Sequence, residues 1–210
     1  MFPKRRQTST VSIGTLKIGS TEPIRIQSML TSDTTDIEEC IAEITRLDKV
    51  NCEIIRLTVP NQKSVDSLYA IRSEMEKRGI QRPLVADVHF NPQLAINVCE
   101  FVEKVRINPG NFVDSKKFEA REYTDKQYQE ELARVEEKIL PLISNLKKYG
   151  CALRVGTNHG SLSDRVMNRY GDTSKGMVES ALEFLRILRK HDFEETVLSM
   201  KSSNPLVMIQ

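Results

Sequence analysis

Six short runs rich in Val, Ile and Leu recur along the chain, with a helical pattern between each pair. They begin near Pro23 (PIRIQSM), Cys52 (CEIIRLTVP), Pro83 (PLVADVHF), Lys104 (KVRINPGN), Ala152 (ALRVGTN) and Thr196 (TVLSMKSS). Parallel strands need a crossover helix between them, so this alternation points to an α/β fold with a parallel sheet. The starts are separated by 29, 31, 21, 48 and 44 residues. A (β/α)8 barrel averages about 31 residues per unit over about 250 residues. The spacing therefore predicts a TIM-type (β/α)8 barrel that is incomplete, with about six of its eight βα units present and extra material after the fourth and fifth strands. An open doubly wound sheet competes, but no glycine-rich phosphate turn follows the first strand. TSTVSIGTLKIGS, before Pro23, predicts a β-hairpin over the barrel's N-terminal mouth. An open barrel leaves two unpaired sheet edges, so residues 1–210 are expected to form one truncated domain of a longer protein.

The helices carry their own signals. Thr35-Asp36-Ile37-Glu38 reads as a capping box opening a stripe of Ile37, Ile41, Ile44 and Leu47. Val65, Leu68, Ile71 and Met75 form a second stripe that stops at Gly79. Asn91-Pro92 suits an N-cap and first turn. Thr124-x-x-Gln127 starts a charged helix toward Lys148, which Pro141 either kinks or divides. The Lys/Glu-rich stretch 116–138 reads as a solvated face. Val178, Ala181, Leu182, Leu185 and Leu188 predict a last apolar face, and Asn108-Pro109-Gly110-Asn111 reads as a turn.

Charge and cysteine usage narrow the function classes. Lys+Arg 31 against Asp+Glu 29 leaves a net +2, which gives no global pull toward nucleic acid. No run of about 18 apolar residues predicts a membrane span. Met1-Phe2-Pro3-Lys4-Arg5-Arg6 has no apolar stretch after its basic cluster, so no signal peptide is expected. Cys40, Cys52, Cys99 and Cys151 contain no C-x-x-C pair and give no zinc or iron–sulfur signature. A reducing cytoplasm is the expected setting.

Strand side chains alternate faces, so the apolar residues assign the polar ones. Ile55, Leu57 and Val59 turn toward helices, leaving Arg56 and Thr58 inside. By the same rule Asp87 and His89, Arg106 and Asn108, Arg154, Gly156 and Asn158, then Ser199 and Lys201 face the lumen. Four cations from four strands (Arg56, Arg106, Arg154 and Lys201) thus converge with one acid, Asp87, toward the strand ends where barrel active sites are built. Buried like charges are costly unless an anion joins them. The natural complement is a ligand with two or more phosphates. Asn108, Asn158 and His89 are candidates for hydroxyls or ester oxygens, and the Gly156–Ser161 loop is a candidate phosphate nest. Arg25, lower on the first strand, is expected to miss the ligand. Asp87 equally suits simple neutralisation of Arg56 or Arg106.

PIRIQSM, EIIRLTVP, PLVADVHF, VRINPGN, LRVGTNHGSL and SMKSS, in that order, resemble the barrel domain of the 4-hydroxy-3-methylbut-2-enyl diphosphate synthases. NHGSLSDRVMNRYGDTSKGMVESALEF is similar to the longer form, which carries an extra domain. The absence of a plastid transit peptide favours a bacterial source. The resemblance implies an oxidoreductase of the non-mevalonate isoprenoid pathway, acting on 2-C-methyl-D-erythritol 2,4-cyclodiphosphate. It implies that Arg106, Arg154 and Lys201 hold the diphosphate, and that Arg56, Asp87, His89, Asn108 and Asn158 shape the pocket. It also implies ferredoxin or flavodoxin as electron donor and a [4Fe–4S] cluster held in a C-terminal domain. The cluster's cysteine motif is not in these 210 residues, so no metal ligand is assigned, no catalytic residue is named, and the isolated chain is expected to be catalytically silent. A homodimer is left open for the full-length form.

Two other classes compete. A non-redox barrel synthase or lyase, similar to dihydropteroate synthase, would use Asp87 or His89 as general base and turn over without reductant. A nucleic-acid binder would show RNA affinity with a steep salt dependence, but the cations are spread over strand ends rather than over an open surface.

Overall fold

The computed structural model describes residues 6–113 and 122–210. An antiparallel hairpin comes first, β1 (Val11–Ile13) and β2 (Leu16–Ile18). Six parallel strands follow, hydrogen-bonded in chain order: β3 (Gln27–Met29), β4 (Ile54–Thr58), β5 (Leu84–Asp87), β6 (Lys104–Ile107), β7 (Ala152–Asn158) and β8 (Thr196–Lys201). Sequential order without reversal is the connectivity of a (β/α)8 barrel and not of a doubly wound sheet. Among the described residues nothing pairs with the outer edges of β3 and β8, and Ile26 and Met29 at β3 and Leu198 on β8 are exposed.

The crossover helices are α1 (Ile37–Lys49), α2 (Gln62–Lys77), α3 (Pro92–Asn97), α4 (Pro109–Phe112), α5 (Asp125–Tyr149), α6 (Asp164–Tyr170) and α7 (Ser174–Lys190), with α8 (Pro205–Ile209) after the last strand. Their apolar stripes meet the outward faces of the strands in one core. Ile55, Leu57, Leu84, Ala86, Val105, Ile107, Leu153 and Val155 pack there with Ile44, Leu68, Ile71, Ile139, Leu142 and Phe184. The hairpin supplies a second, smaller cluster inside the barrel: Val11 and Ile13 bury against Ile54, Val85 and Ala152. It is the lid over the N-terminal mouth that the sequence suggests.

Several ends differ in detail. The cap of α1 is Asp36, whose carboxylate accepts from Glu39 N, while Thr35 is turned back onto Asp33. Asn108 caps the one-turn helix α4, so NPGN is more than a turn. Pro141 leaves α5 undivided, and Thr124 with Gln127 forms the expected capping box. Gly79 takes φ +68° just after α2, as a helix stop requires. The buried side of α7 is Met177, Ala181, Phe184 and Leu188, with Val178 exposed, because Arg165 draws Glu183 inward as its partner. Of the 116–138 stretch, residues 116–121 lie outside the described ones; the rest is largely solvated apart from Tyr128 and Val135.

Candidate functional site

Register fixes which inward side chains share a level. Asp87 lies opposite Arg106, and Arg106 opposite Arg154; Arg56 lies one level lower, opposite Val85. Asn158 lies opposite Lys201 at the strand ends. All four expected cations and the acid are therefore brought to one lumen.

Asp87 is the hub. Its carboxylate accepts from Arg56 Nη2, and from Arg106 Nη1 at 2.9 Å. His89 Nε2 is 3.0 Å from Asp87 Oδ1 and 2.6 Å from Arg106 Nη1. Burial works against the charge, but the His89 hydrogen bond and the Arg106 and Arg56 charges outweigh it and hold the carboxyl well below its usual range. Arg106 is 2% exposed and also donates from Nη2 to Gly156 O at 3.1 Å. Arg154 is steadied by its Nε bond to Ser199 Oγ at 2.9 Å. Burial, then Arg56 and Arg106, lower the pKa of Arg154. Lys201 is lowered by burial and by Arg154, Arg56 and Arg106 in turn. One carboxylate cannot neutralise this group, and the buried Nε atoms of Arg56 and Arg106 have no acceptor among the described residues. Buried donors of this kind call for an acceptor, and clustered guanidinium groups match phosphate oxygens.

The remaining expected residues sort by their bonds. Asn108 is 3% exposed and committed to the fold, accepting from Gly110 N and donating to Ser161 Oγ. It interlocks the loop after β6 with the loop after β7. Gly110 completes that joint, since a Cβ there would stand 1.6 Å from Ser161 O. Asn158 ends β7, and its carbonyl accepts from Ser161 N and Oγ. The expected phosphate nest is already partly used: His159 N donates to Lys201 O, and Ser161 N to Asn158 O. Arg25 stays away from the lumen charges, bonded to Glu53 and to Lys17 O.

Lys104 is the lumen residue missing from the sequence-based set. It is 4% exposed, one alternation below Arg106 on β6, and it shares that residue's parity. The same alternation that assigns Arg106 assigns Lys104.

The four cysteines are buried, and the thiols of Cys40, Cys52, Cys99 and Cys151 meet backbone carbonyls. Among the described residues no three His, Cys, Asp or Glu gather as a metal site. A cleft of about 730 Å³ between α1 and α2 is lined by Ile37, Ile41 and Tyr69 together with two acids, Glu38 and Glu74, and two bases, Lys77 and Arg78, so its charges balance where those of the lumen do not. No helix of the described residues is long and apolar enough to cross a membrane.

Comparison with known proteins gives a consistent set. A 4-hydroxy-3-methylbut-2-en-1-yl diphosphate synthase (flavodoxin) from Leptospira interrogans is 54% identical over 207 residues, covering 99% of this chain and 31% of the relative. A chloroplastic 4-hydroxy-3-methylbut-2-en-1-yl diphosphate synthase (ferredoxin) from Oryza sativa subsp. japonica is 49% identical over 208 residues, covering 99% and 28%. The chain thus spans about a third of the length of the curated relatives it matches. A truncated 3-deoxy-D-arabino-heptulosonate 7-phosphate synthase from Thermotoga maritima superposes with a TM-score of 0.54 at 12% identity, over 91% of this chain and 56% of that one, which shows the fold alone. The family model described as the GcpE TIM-barrel domain matches residues 8–210, and the chain belongs to that family.

Proposed function

We propose that the full-length protein carries out the reductive ring opening of 2-C-methyl-D-erythritol 2,4-cyclodiphosphate to 4-hydroxy-3-methylbut-2-enyl diphosphate, and that this chain is its diphosphate-binding barrel. The observation that supports this most is the lumen charge: Arg56, Arg106, Arg154 and Lys201 face one carboxylate, Asp87, which is already engaged. In this scheme Arg106, Arg154 and Lys201 hold the diphosphate, while Arg56 and His89 fix Asp87 and the pocket wall. Asn158 faces the ligand's hydroxyl and ester oxygens, and Asn108 keeps the two loops in place. Flavodoxin or ferredoxin, each named for a relative, is the class of electron donor.

The described residues do not fit a [4Fe–4S] cluster, because each thiol is buried against backbone and no three ligands converge. No step through a cluster is assigned to them; an iron–sulfur domain elsewhere in a cytoplasmic full-length enzyme would hold it. The part of this chain is to bind and orient the anion, which fixes the ring for opening.

Calorimetric titration of the full-length protein with the cyclodiphosphate tests the assignment. Saturable binding that Arg106→Ala weakens by at least about tenfold, about 1.4 kcal/mol, is expected. A folded wild-type protein that binds none of it would overturn the substrate class, and turnover of a phosphorylated compound without reductant would favour a non-redox barrel enzyme.

A further inference from the structure

Lys104 stands where a lysine is hard to keep charged. Its neighbours in register, Val85 and Ala152, belong to the apolar cluster that the hairpin closes. The amine is thus held between an apolar floor and a layer of cations. Its hydrogen-bonding partner is Gln27 Oε1, at a long 3.5 Å. Among the described residues no carboxylate lies within ion-pair distance of it, since Asp87 is taken by Arg56, Arg106 and His89.

The charges around it can be named strand by strand. β4 presents Arg56, β5 presents Asp87 with His89 just beyond it, β7 presents Arg154, and its own strand presents Arg106, while β3 presents the neutral Gln27. β8 faces the lumen with Val197 opposite Arg154 and with Lys201 at the mouth, and Glu195, just before that strand, accepts from Ser12 N of the hairpin. Burial comes first, then Arg154 and Arg56, in bringing the amine down to about 8. A diphosphate in the same lumen reverses the balance, because its negative charge acts on Lys104 through a poorly screened interior.

We propose that Lys104 takes up a proton when a diphosphate enters the pocket, so that anion binding and protonation of the barrel floor are coupled. This rests on the assignment of the mouth as a diphosphate site. Protonation favours the bound state, so affinity falls as pH rises past the point at which the amine of the empty pocket loses its proton. The coupling also favours doubly charged ligands over singly charged ones, since a weaker field leaves the amine neutral.

The test is calorimetry of the full-length protein with 2-C-methyl-D-erythritol 2,4-cyclodiphosphate at pH 8.5, in buffers of different ionisation enthalpy. Each phosphorus of this ligand carries one ionised oxygen and has no further proton to exchange there, so any proton taken up goes to the protein. An uptake of roughly 0.7 proton per ligand is expected for an amine that starts near 8. Lys104→Arg, always protonated, should bind with almost no uptake and with a flatter pH dependence. Uptake should survive in Lys201→Met. NMR of ε-13C-labelled lysine, with and without ligand, reads the same titration without any substitution and should show the Lys104 signal moving to higher pKa. Binding without proton uptake would overturn the inference, as would uptake retained in Lys104→Arg, whatever Lys201→Met shows. Absence of any binding would instead remove its premise, the diphosphate site.

Discussion

Arg106 and Asp87 face each other in register on neighbouring strands, and 2.9 Å separates Nη1 from Oδ1. Because Asp87 also holds Arg56, removing its charge leaves two buried guanidinium groups, Arg56 and Arg106, without their counter-charge. Asp87→Asn should destabilise the barrel by about 3–5 kcal/mol in urea unfolding, the usual cost of breaking a buried pair from one side. A cost below about 1 kcal/mol would show that the cations do not depend on it. The pH sense follows from the depressed carboxyl. Its contribution is complete above about pH 4 and fades as acid protonates Asp87 in the fold.

Glu43 gives a second acid-sensitive joint. Its carboxylate accepts from the N–H and hydroxyl groups of both Thr31 and Ser32, pinning the loop after β3 onto α1. Burial opposes the charge, but these four donors win and hold the group at about 2. Stability from Glu43 should therefore be present above pH 4.3 or so and decline toward pH 2. Glu43→Ala should cost about 1–2 kcal/mol at neutral pH, with protection of the Thr31 and Ser32 amides lost in hydrogen exchange. Unchanged exchange at those amides would sink the idea.

Gly110→Ala should fail by sterics, not by backbone torsion. The added methyl would overlap the Ser161 carbonyl, a backbone atom that cannot swing aside. Overpacking of this kind costs about 1–3 kcal/mol or more, so thermal unfolding should fall by several degrees, with cyclodiphosphate binding weakened. A wild-type melting temperature would mean the two loops are not interlocked in solution.

Arg165 and Glu183 form a buried ion pair on α6 and α7, 2.6 Å apart, with the Tyr128 hydroxyl donating to the same carboxylate. Glu183→Gln or Arg165→Met alone should cost about 3–5 kcal/mol, and the double substitution should recover part of that. Strict additivity in the double-mutant cycle would show that the pair is not coupled.

Much of the lumen can be read from the chain because side-chain alternation is a local property of a strand. Leu84, Ala86 and Val88 point to helices, so Asp87 has to point inward, and the parallel register then brings Arg106 and Arg154 beside it. Lys104 obeys the same parity, but a charged residue opening a strand reads as its solvated edge until the hairpin is seen to close over it. Partners distant in sequence are harder to read. Glu183 interrupts an apolar helix and is buried where Arg165 and the Tyr128 hydroxyl meet it. The cap at Asp36 rather than Thr35 depends on Asp33 claiming Thr35 first, a contest among three competent residues. For Asn108-Pro109-Gly110 the composition of a turn and of a capped single helical turn is the same, and contact with Ser161 decides between them.

The hairpin stops one end of the lumen, with Ile13 seated against Ile54 and Val85. The opposite rim, where Phe90 and Lys201 stand exposed, is open, and so is the flank between the edges of β3 and β8, which are unpaired among the described residues. Whatever covers that flank shapes the site as much as the cations do, because solvent on that side weakens the pull of every charge in the cluster.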